Sequence, residues 1–334
     1  MSAATRLVAV AAMLLSVSGI VTATGTAEIG IAEGPAHPPS RIKTGGPFLK
    51  DFVPVELIAP NTEPARFNPM GSAGSFTSPC GTNTEGHRNS GNFMAAPGKV
   101  NGARHIHDYV GNVSADAFST SESLAAAGTT CANGDKSTYF WPVLRDTTAK
   151  GIDAGSEGGG LDGNVGGILR PAGVRLQFRG NPAALVTAMP YDLALMTGDA
   201  KAATNGGAHA HAAWTCTGFE DRTTTKYPLC PQGSQLVRIL DFPSCWDGKN
   251  LDSAHHREHV VFPQPDGSCG AGKAVIPQLR ITLSFDRPVG RAFAVDGFPD
   301  QQHNPVTDHA DFMNLMPPAM MARAVDCINS GRTC

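Results

Sequence analysis

The chain has 334 residues, with 26 Lys and Arg against 29 Asp and Glu and a formal net charge of -3. So even a balance gives no electrostatic case for nucleic acid or for an anionic membrane surface as partner. Only 16% of the residues are charged while 38 are Gly and 25 are Pro, which argues against a helical bundle and for a loop-rich chain built from strands.

The N-terminus carries a secretory pattern: Arg6, an apolar run over residues 7–21, and a small-residue exit at Val21-Thr22-Ala23. The run is shorter than the ~20 apolar residues of a spanning helix, and no later stretch matches it, so cleavage of residues 1–23 and export are expected, with no stable membrane span left; an uncleaved anchor is the competing reading. Cleavage would remove Arg6 and no acid, taking the net charge from -3 to -4. Residues 24–75 hold Gly34-Pro35-Ala36-His37-Pro38-Pro39 and little periodic hydrophobicity, and read as a disordered or extended lead-in to a single domain over 76–334.

Within that domain, strands are expected at 175–178, 184–189, 236–242, 259–262 and 278–285, the last alternating Leu279, Ile281, Leu283 and Phe285 with polar neighbours. Helices are expected only at 121–127 and at 317–328, the second opening on two prolines. The Gly-rich stretch 151–167 lacks a preceding apolar strand and a phosphate-loop ending, and reads as a mobile surface loop. Together these features predict a mainly β fold: one loop-rich antiparallel domain, sandwich or jelly roll, with a short C-terminal helix.

All eight cysteines, Cys80, Cys131, Cys216, Cys230, Cys245, Cys269, Cys327 and Cys334, follow the leader, and no C-x-x-C occurs. An even set in an exported chain predicts disulfides rather than zinc thiolates or a thiol nucleophile, with Cys327 and Cys334 the nearest plausible pair and the rest open. No G-x-S-x-G is present for serine catalysis either. Any chemistry therefore falls to histidine and aspartate.

The eleven histidines cluster. In an extended segment His105-Ile106-His107 turns both imidazoles to one face, close enough to share a metal ion, with Asp108 next to orient them; His209-Ala210-His211 has the same spacing. The cupin pattern fails because no glutamate follows His107 at the required interval. His255-His256-Arg257-Glu258-His259 contains the H-x-x-E-H of zinc peptidases, but it lies between turn residues and a strand-like run, where a helix cannot form around it. Trp246 with Asp247 suits either a sugar-stacking platform with a carboxylate catalyst or a packed Trp beside an Asx-turn. Asp308-His309-Ala310-Asp311 sets carboxylates on both sides of a histidine.

Several of these segments, taken in order, resemble the DUF1996 family, a domain of unknown function of secreted actinobacterial and fungal proteins. They are Ala95-Ala96-Pro97-Gly98, then Arg104 to Asn112, Tyr139 to Leu144, and Phe242-Pro243-Ser244-Cys245-Trp246-Asp247-Gly248 with Leu251-Asp252-Ser253, His256 and His259, and last His309-Ala310-Asp311-Phe312 with Cys327. The resemblance spans roughly residues 76–334. It implies an extracellular domain whose site residues are His105, His107, Asp108, Asp247, Asp252, His256, His259, His309 and Asp311, and it leaves out Glu258 and the second H-x-H. His105 and His107 are the expected metal ligands or acid-base groups, and a divalent metal the cofactor they would take. The expected function is a secreted, hydrolase-like protein acting on polysaccharide or cell-wall glycan; the alternative is a non-catalytic glycan- or wall-binding module.

Overall fold

A computed structural model describes residues 45–334 except Arg287 and Val289; the expected leader and the first part of the lead-in lie outside the described residues. The described residues belong to one compact unit, and no helix among them is long and apolar enough to cross a membrane.

Two five-stranded antiparallel sheets form the body. Their strands, in chain order, are β1 (Ser75–Ser78), β2 (Arg88–Asn89), β3 (His107–Gly111), β4 (Thr138–Pro142), β5 (Gly173–Arg179), β6 (Ala194–Gly198), β7 (Ala213–Cys216), β8 (Leu236–Asp241), β9 (Gln278–Phe285) and β10 (His309–Met313). One sheet runs β7-β8-β9-β5-β1 and the other β2-β3-β4-β10-β6. The expected mainly β, disulfide-bonded fold with a short C-terminal helix is what is found.

Strand β9 has the burial that its alternation predicts, with Leu279, Ile281, Leu283 and Phe285 facing in. They meet Val110, Trp141, Ala310 and Phe312 of the other sheet in one continuous core. Phe178 on β5 and Phe312 on β10 lie 5.9 Å apart, ring centre to ring centre. Each strand of the second sheet therefore gives one set of side chains to the core and leaves the alternate set for the far face.

The expected strand at 184–189 does not form: Val186 bonds in both directions to the Asn329 side chain, and Thr187 N–H donates to the Val275 carbonyl, so this segment ties the C-terminal helix to the short strand Ala274–Val275. The expected strand at 259–262 shrinks to Val260–Val261. Residues 151–167 are pinned by two aspartate ion pairs, the half-buried Asp153 with buried Arg145 and the buried Asp162 with exposed Arg104. Ahead of β1, Phe52–Pro54 pairs in parallel with Tyr227–Leu229, and Phe52 and Val55 are buried.

Helix α1 is Ser121–Ala126, capped by Thr120 and Ser123 exchanging hydrogen bonds. Helix α2, Pro318–Asn329, buries Met320, Met321, Ala324, Cys327 and Ile328, one stripe at helical spacing. The chain after α2 returns along β1, where Ser75 and Cys334 bond backbone to backbone, and so covers an edge strand. A side chain at Gly74 would collide with the carbonyls of Cys327, Ile328 and Arg332. Four disulfides close the structure: Cys80–Cys131, Cys216–Cys230, Cys245–Cys269 and Cys327–Cys334.

A candidate metal centre

His107 opens β3, and His105 stands two residues before it. The residue between them is bonded on both sides, Ile106 N–H donating to Asp296 Oδ2 (3.2 Å) and its carbonyl accepting from Val143 N–H (3.0 Å). The two-residue period then puts both imidazoles on one face, their ring centres 4.5 Å apart. His309 opens β10, two strands away across β4. Tyr109 pairs with Phe140 and Phe140 with Asp311, and His107 pairs with Pro142, so stepping back two residues brings His309 into line with His107. The face these residues share is the one turned away from the main core.

There the three rings converge. Nε2 of His105 is 3.1 Å from Nε2 of His107 and 3.3 Å from Nε2 of His309, and one ring nitrogen of each lies within 4.8 Å of those of the other two. Hydrogen bonding does not account for this. A neutral imidazole has one N–H and one lone pair, so His105 Nε2 can donate to one neighbour at most. His309 Nδ1 donates to the Thr307 carbonyl (2.9 Å), which leaves its Nε2 as a lone pair aimed at the other two. Two ligands each ~2.05 Å from one tetrahedral ion stand about 3.3 Å apart, close to the observed spacing. The three nitrogens thus fit a single divalent ion.

Electrostatics keep the rings neutral. Burial lowers the pKa of His105 and His107 well below the ordinary histidine value, and the neighbouring imidazoles lower both further. Burial lowers His309 as well, against the Thr307 carbonyl. Carbonyls of Ala103 and Gly91 act on His105 and His107 in the opposite sense, although neither makes a hydrogen bond of ordinary geometry with the buried Nδ1 atoms. Aromatic rings complete the dry wall: Phe140 meets His107 edge to face at 5.3 Å, and Phe298 meets His105 the same way at 5.5 Å.

Two buried ion pairs hold the backbone that carries the ligands. Asp296 accepts from Ile106 N–H and takes Arg145 on both oxygens, at 2.5 and 2.9 Å. Asp308, directly before His309, takes Arg238 at 2.5 and 3.0 Å, and the same guanidinium donates to the Pro142 carbonyl opposite His107 (2.9 Å). Of the four, only Asp308 stood out in the sequence, as a carboxylate flanking His309; Arg145, Arg238 and Asp296 did not. One signal was present: Arg238 alternates with Leu236 and Leu240 on the core face of a predicted strand, where a charge requires a buried partner.

Two of the three, His105 and His309, line a cleft of about 340 Å³ together with Asp311, Lys201, His255 and Arg257, and His107 is buried behind them. Asp311 follows His309 at a two-residue spacing and shares its face. Its Oδ2 accepts from Asn92 (3.0 Å), and burial pushes its pKa up to about 7 against the pull of Arg257. Another cavity, of about 380 Å³, has Arg179 as its only charged lining residue, and that side chain is engaged by Asp241. Cys80, Cys131 and Asp135 also cluster, but the cysteines are bridged and Asp135 accepts from Ser78 and Tyr139.

Of the nine site residues expected from sequence, the fold brings together His105, His107, His309 and Asp311. Asp108 does not orient the histidines: as the next residue in the strand it points to the opposite face, where Arg88 (2.6 Å) and Asn83 (2.8 Å) take its carboxylate. His259 is fully engaged, Nε2 on the Ala194 carbonyl (2.7 Å) and Nδ1 on Ser253 Oγ (3.0 Å). His256 binds Asp252 through Nδ1 (2.8 Å). Asp247 forms an Asx-turn; burial raises its pKa slightly, but the Asn250 and Lys249 amides hold it at about 2. Trp246 Nε1 donates to the Asn250 carbonyl (2.7 Å), and its half-buried ring packs against the main core. His211 stacks on Phe262, with ring centres 3.9 Å apart.

Fold and site together define a disulfide-bonded β-sandwich with a buried three-histidine cluster at the base of an open cleft. The chain belongs to the DUF1996 family, described as a domain of unknown function, which matches residues 94–314 and so includes all three clustered histidines. No curated protein and no solved structure was found to match it.

Proposed function

We propose that this is an exported, metal-dependent protein in which His105, His107 and His309 hold one divalent transition ion, and that it acts as a hydrolase on polysaccharide or cell-wall glycan. The observation that carries this reading is the convergence of three buried, neutral imidazole nitrogens at ligand spacing, at the base of a cleft. Imidazole suits zinc, copper, iron and nickel among the divalent metals, and zinc favours the tetrahedral spacing seen here. Three protein ligands with a fourth side facing a cleft is the arrangement of catalytic rather than structural sites, which close all four positions. An ion held there supplies Lewis-acid activation at the cleft floor.

The remaining roles fall to the chain itself. The Thr307 carbonyl fixes the His309 tautomer. Asp296 and Asp308 hold the ligand-bearing backbones, and Phe140 and Phe298 exclude water from the ring nitrogens. Asp311, on the same face, offers a carboxyl group to the cleft for acid-base work. Four disulfides in a chain that opens on a secretory pattern support export.

The test is metal analysis of purified protein after equilibration with zinc or copper, followed by assays on wall and storage polysaccharides. One ion per chain, lost in His107→Ala and in His309→Ala together with turnover, is the expected result. A stoichiometric ion without turnover on any glycan would leave the non-catalytic binding module, and absence of a stoichiometric ion would remove the metal centre altogether.

A further inference from the structure

The H-x-x-E-H segment is not a helix and its histidines do not reach the triad, yet the chain anchors it tightly. His259 is bonded through both ring nitrogens, His256 is bound by Asp252, and Ser253 Oγ receives the backbone N–H groups of Arg257 and Glu258 at 3.1 Å. The residues those anchors leave over, His255 and Arg257, line the cleft above the triad. The segment is thus a rigid loop that presents a guanidinium.

The charges in the cleft are unequally used. Asp199 is occupied, its two oxygens accepting from Asn205 Nδ2 (2.8 Å) and Lys201 N–H (2.9 Å), and Asp311 accepts from Asn92. Lys201 and Arg257, by contrast, form no ion pair and no side-chain hydrogen bond among the described residues. Lys201 Nζ stands 5.4 Å from the centre of the Phe298 ring, whose edge packs on His105. The half-buried Arg257 pulls on Asp311, Asp199 and His309, so its field falls into the cleft. A partly desolvated guanidinium with no salt bridge, near carboxylates already engaged by Asn205, Lys201 N–H and Asn92 and beside a second unpaired cation, is arranged for an anion to complete it. The cleft is also lined by Ala95, Ala96, Gly102 and Ala103, small residues that leave room for one.

Building on the reading of this cleft as the substrate site, we propose that its ligand carries a negatively charged group, a carboxylate or a phosphate, recognised by Arg257 and Lys201. Neutral glycans are then the poorer ligands. The test uses the full chain, metal-free and zinc-loaded, with galacturonate, inorganic phosphate and galactose as probes, binding followed by calorimetry. At least one anion binds the metal-free protein and galactose does not; which anion binds tells an acidic sugar from a phosphate ester as the source. Arg257→Gln weakens anion binding by about tenfold or more, Arg257→Lys recovers part of it, and the exposed Lys201→Gln weakens it by about threefold or more.

Zinc stoichiometry is measured on every variant. Anion binding that depends on Arg257 in a chain that takes up no zinc sustains this inference and removes the metal centre. Stoichiometric zinc with galactose bound as tightly as galacturonate, or anion binding indifferent to both Arg257→Gln and Lys201→Gln, overturns the inference and leaves the metal centre standing. Binding of neither anion to the folded wild-type chain also overturns it.

Discussion

Asp308, the residue directly before His309, forms a two-pronged ion pair with Arg238 in which both side chains are wholly buried. Because Arg238 also bonds the Pro142 carbonyl opposite His107, one guanidinium ties the start of β10, which carries His309, to the end of β4, the strand that pairs with His107. Removing either partner strands a charge in the core. Arg238→Ala or Asp308→Ala is expected to destabilise the fold by about 3–5 kcal/mol, measured by urea unfolding with the disulfides intact, and to reduce metal affinity in whatever folded protein remains.

Histidines of the triad and histidines of the loop should separate by two readouts. His105→Ala is expected to abolish stoichiometric zinc binding. His259→Ala leaves the buried Ala194 carbonyl without its partner, so it should destabilise by about 1–3 kcal/mol while retaining one zinc per chain. Loss of zinc in His259→Ala with His105→Ala unaffected would reverse the assignment.

The Asp252–His256 pair makes a pH-dependent contribution with a defined window. His256 is raised above its ordinary value chiefly by its hydrogen bond with Asp252, so its contribution is complete below about pH 6.5 and is lost as pH rises through the higher folded value. Burial raises Asp252, but the His256 bond, the Ser253 N–H and the charges of His256 and His259 together outweigh it, and the carboxyl ends below its ordinary value. That contribution is present above about pH 4 and is lost as pH falls through the lower folded value. Wild type should therefore exceed Asp252→Asn most near pH 5–6, by under ~1 kcal/mol for so exposed a pair, and the gap should narrow at pH 9. Unfolding curves at the two pH values decide it.

The disulfides should differ in weight. Cys80–Cys131 spans 51 residues and Cys327–Cys334 only 7, so chain entropy predicts losses of about 4 and about 2 kcal/mol when each is replaced by a Ser pair. The first also bears on the site. Thr130 Oγ1 donates to the Cys80 carbonyl (2.7 Å) and accepts from Gly111 N–H (3.0 Å) at the end of β3, so Cys80→Ser with Cys131→Ser should lower zinc affinity more than the C-terminal pair does.

What could be read along the chain was whatever depends on near neighbours. The alternation of residues 278–285 foretold β9 because side-chain direction has a period of two, and the same period made His105 and His107 neighbours. Strands β4 and β10 were not proposed as strands. Both lie inside the second sheet and are buried on either face, so Tyr139, Phe140 and Trp141 show no alternation. Asp108 misled for the complementary reason: adjacent in sequence, it is opposite in space.

That the chain is β-rich, that its cysteines pair with one another, and that histidine and aspartate are left to carry any chemistry could all be read from residue types and their spacing. Each of these follows from composition or local periodicity. Only the tertiary structure decided which histidines meet. His309 lies 204 residues from His105 and reaches it solely because β10 pairs with β4 in a register that no local pattern encodes. His259 likewise needs the Ala194 carbonyl, 65 residues away, and with the local bonds to Ser253 and Asp252 this leaves Arg257 lining the cleft, since a side chain's role depends on what the fold brings within a few ångströms of it.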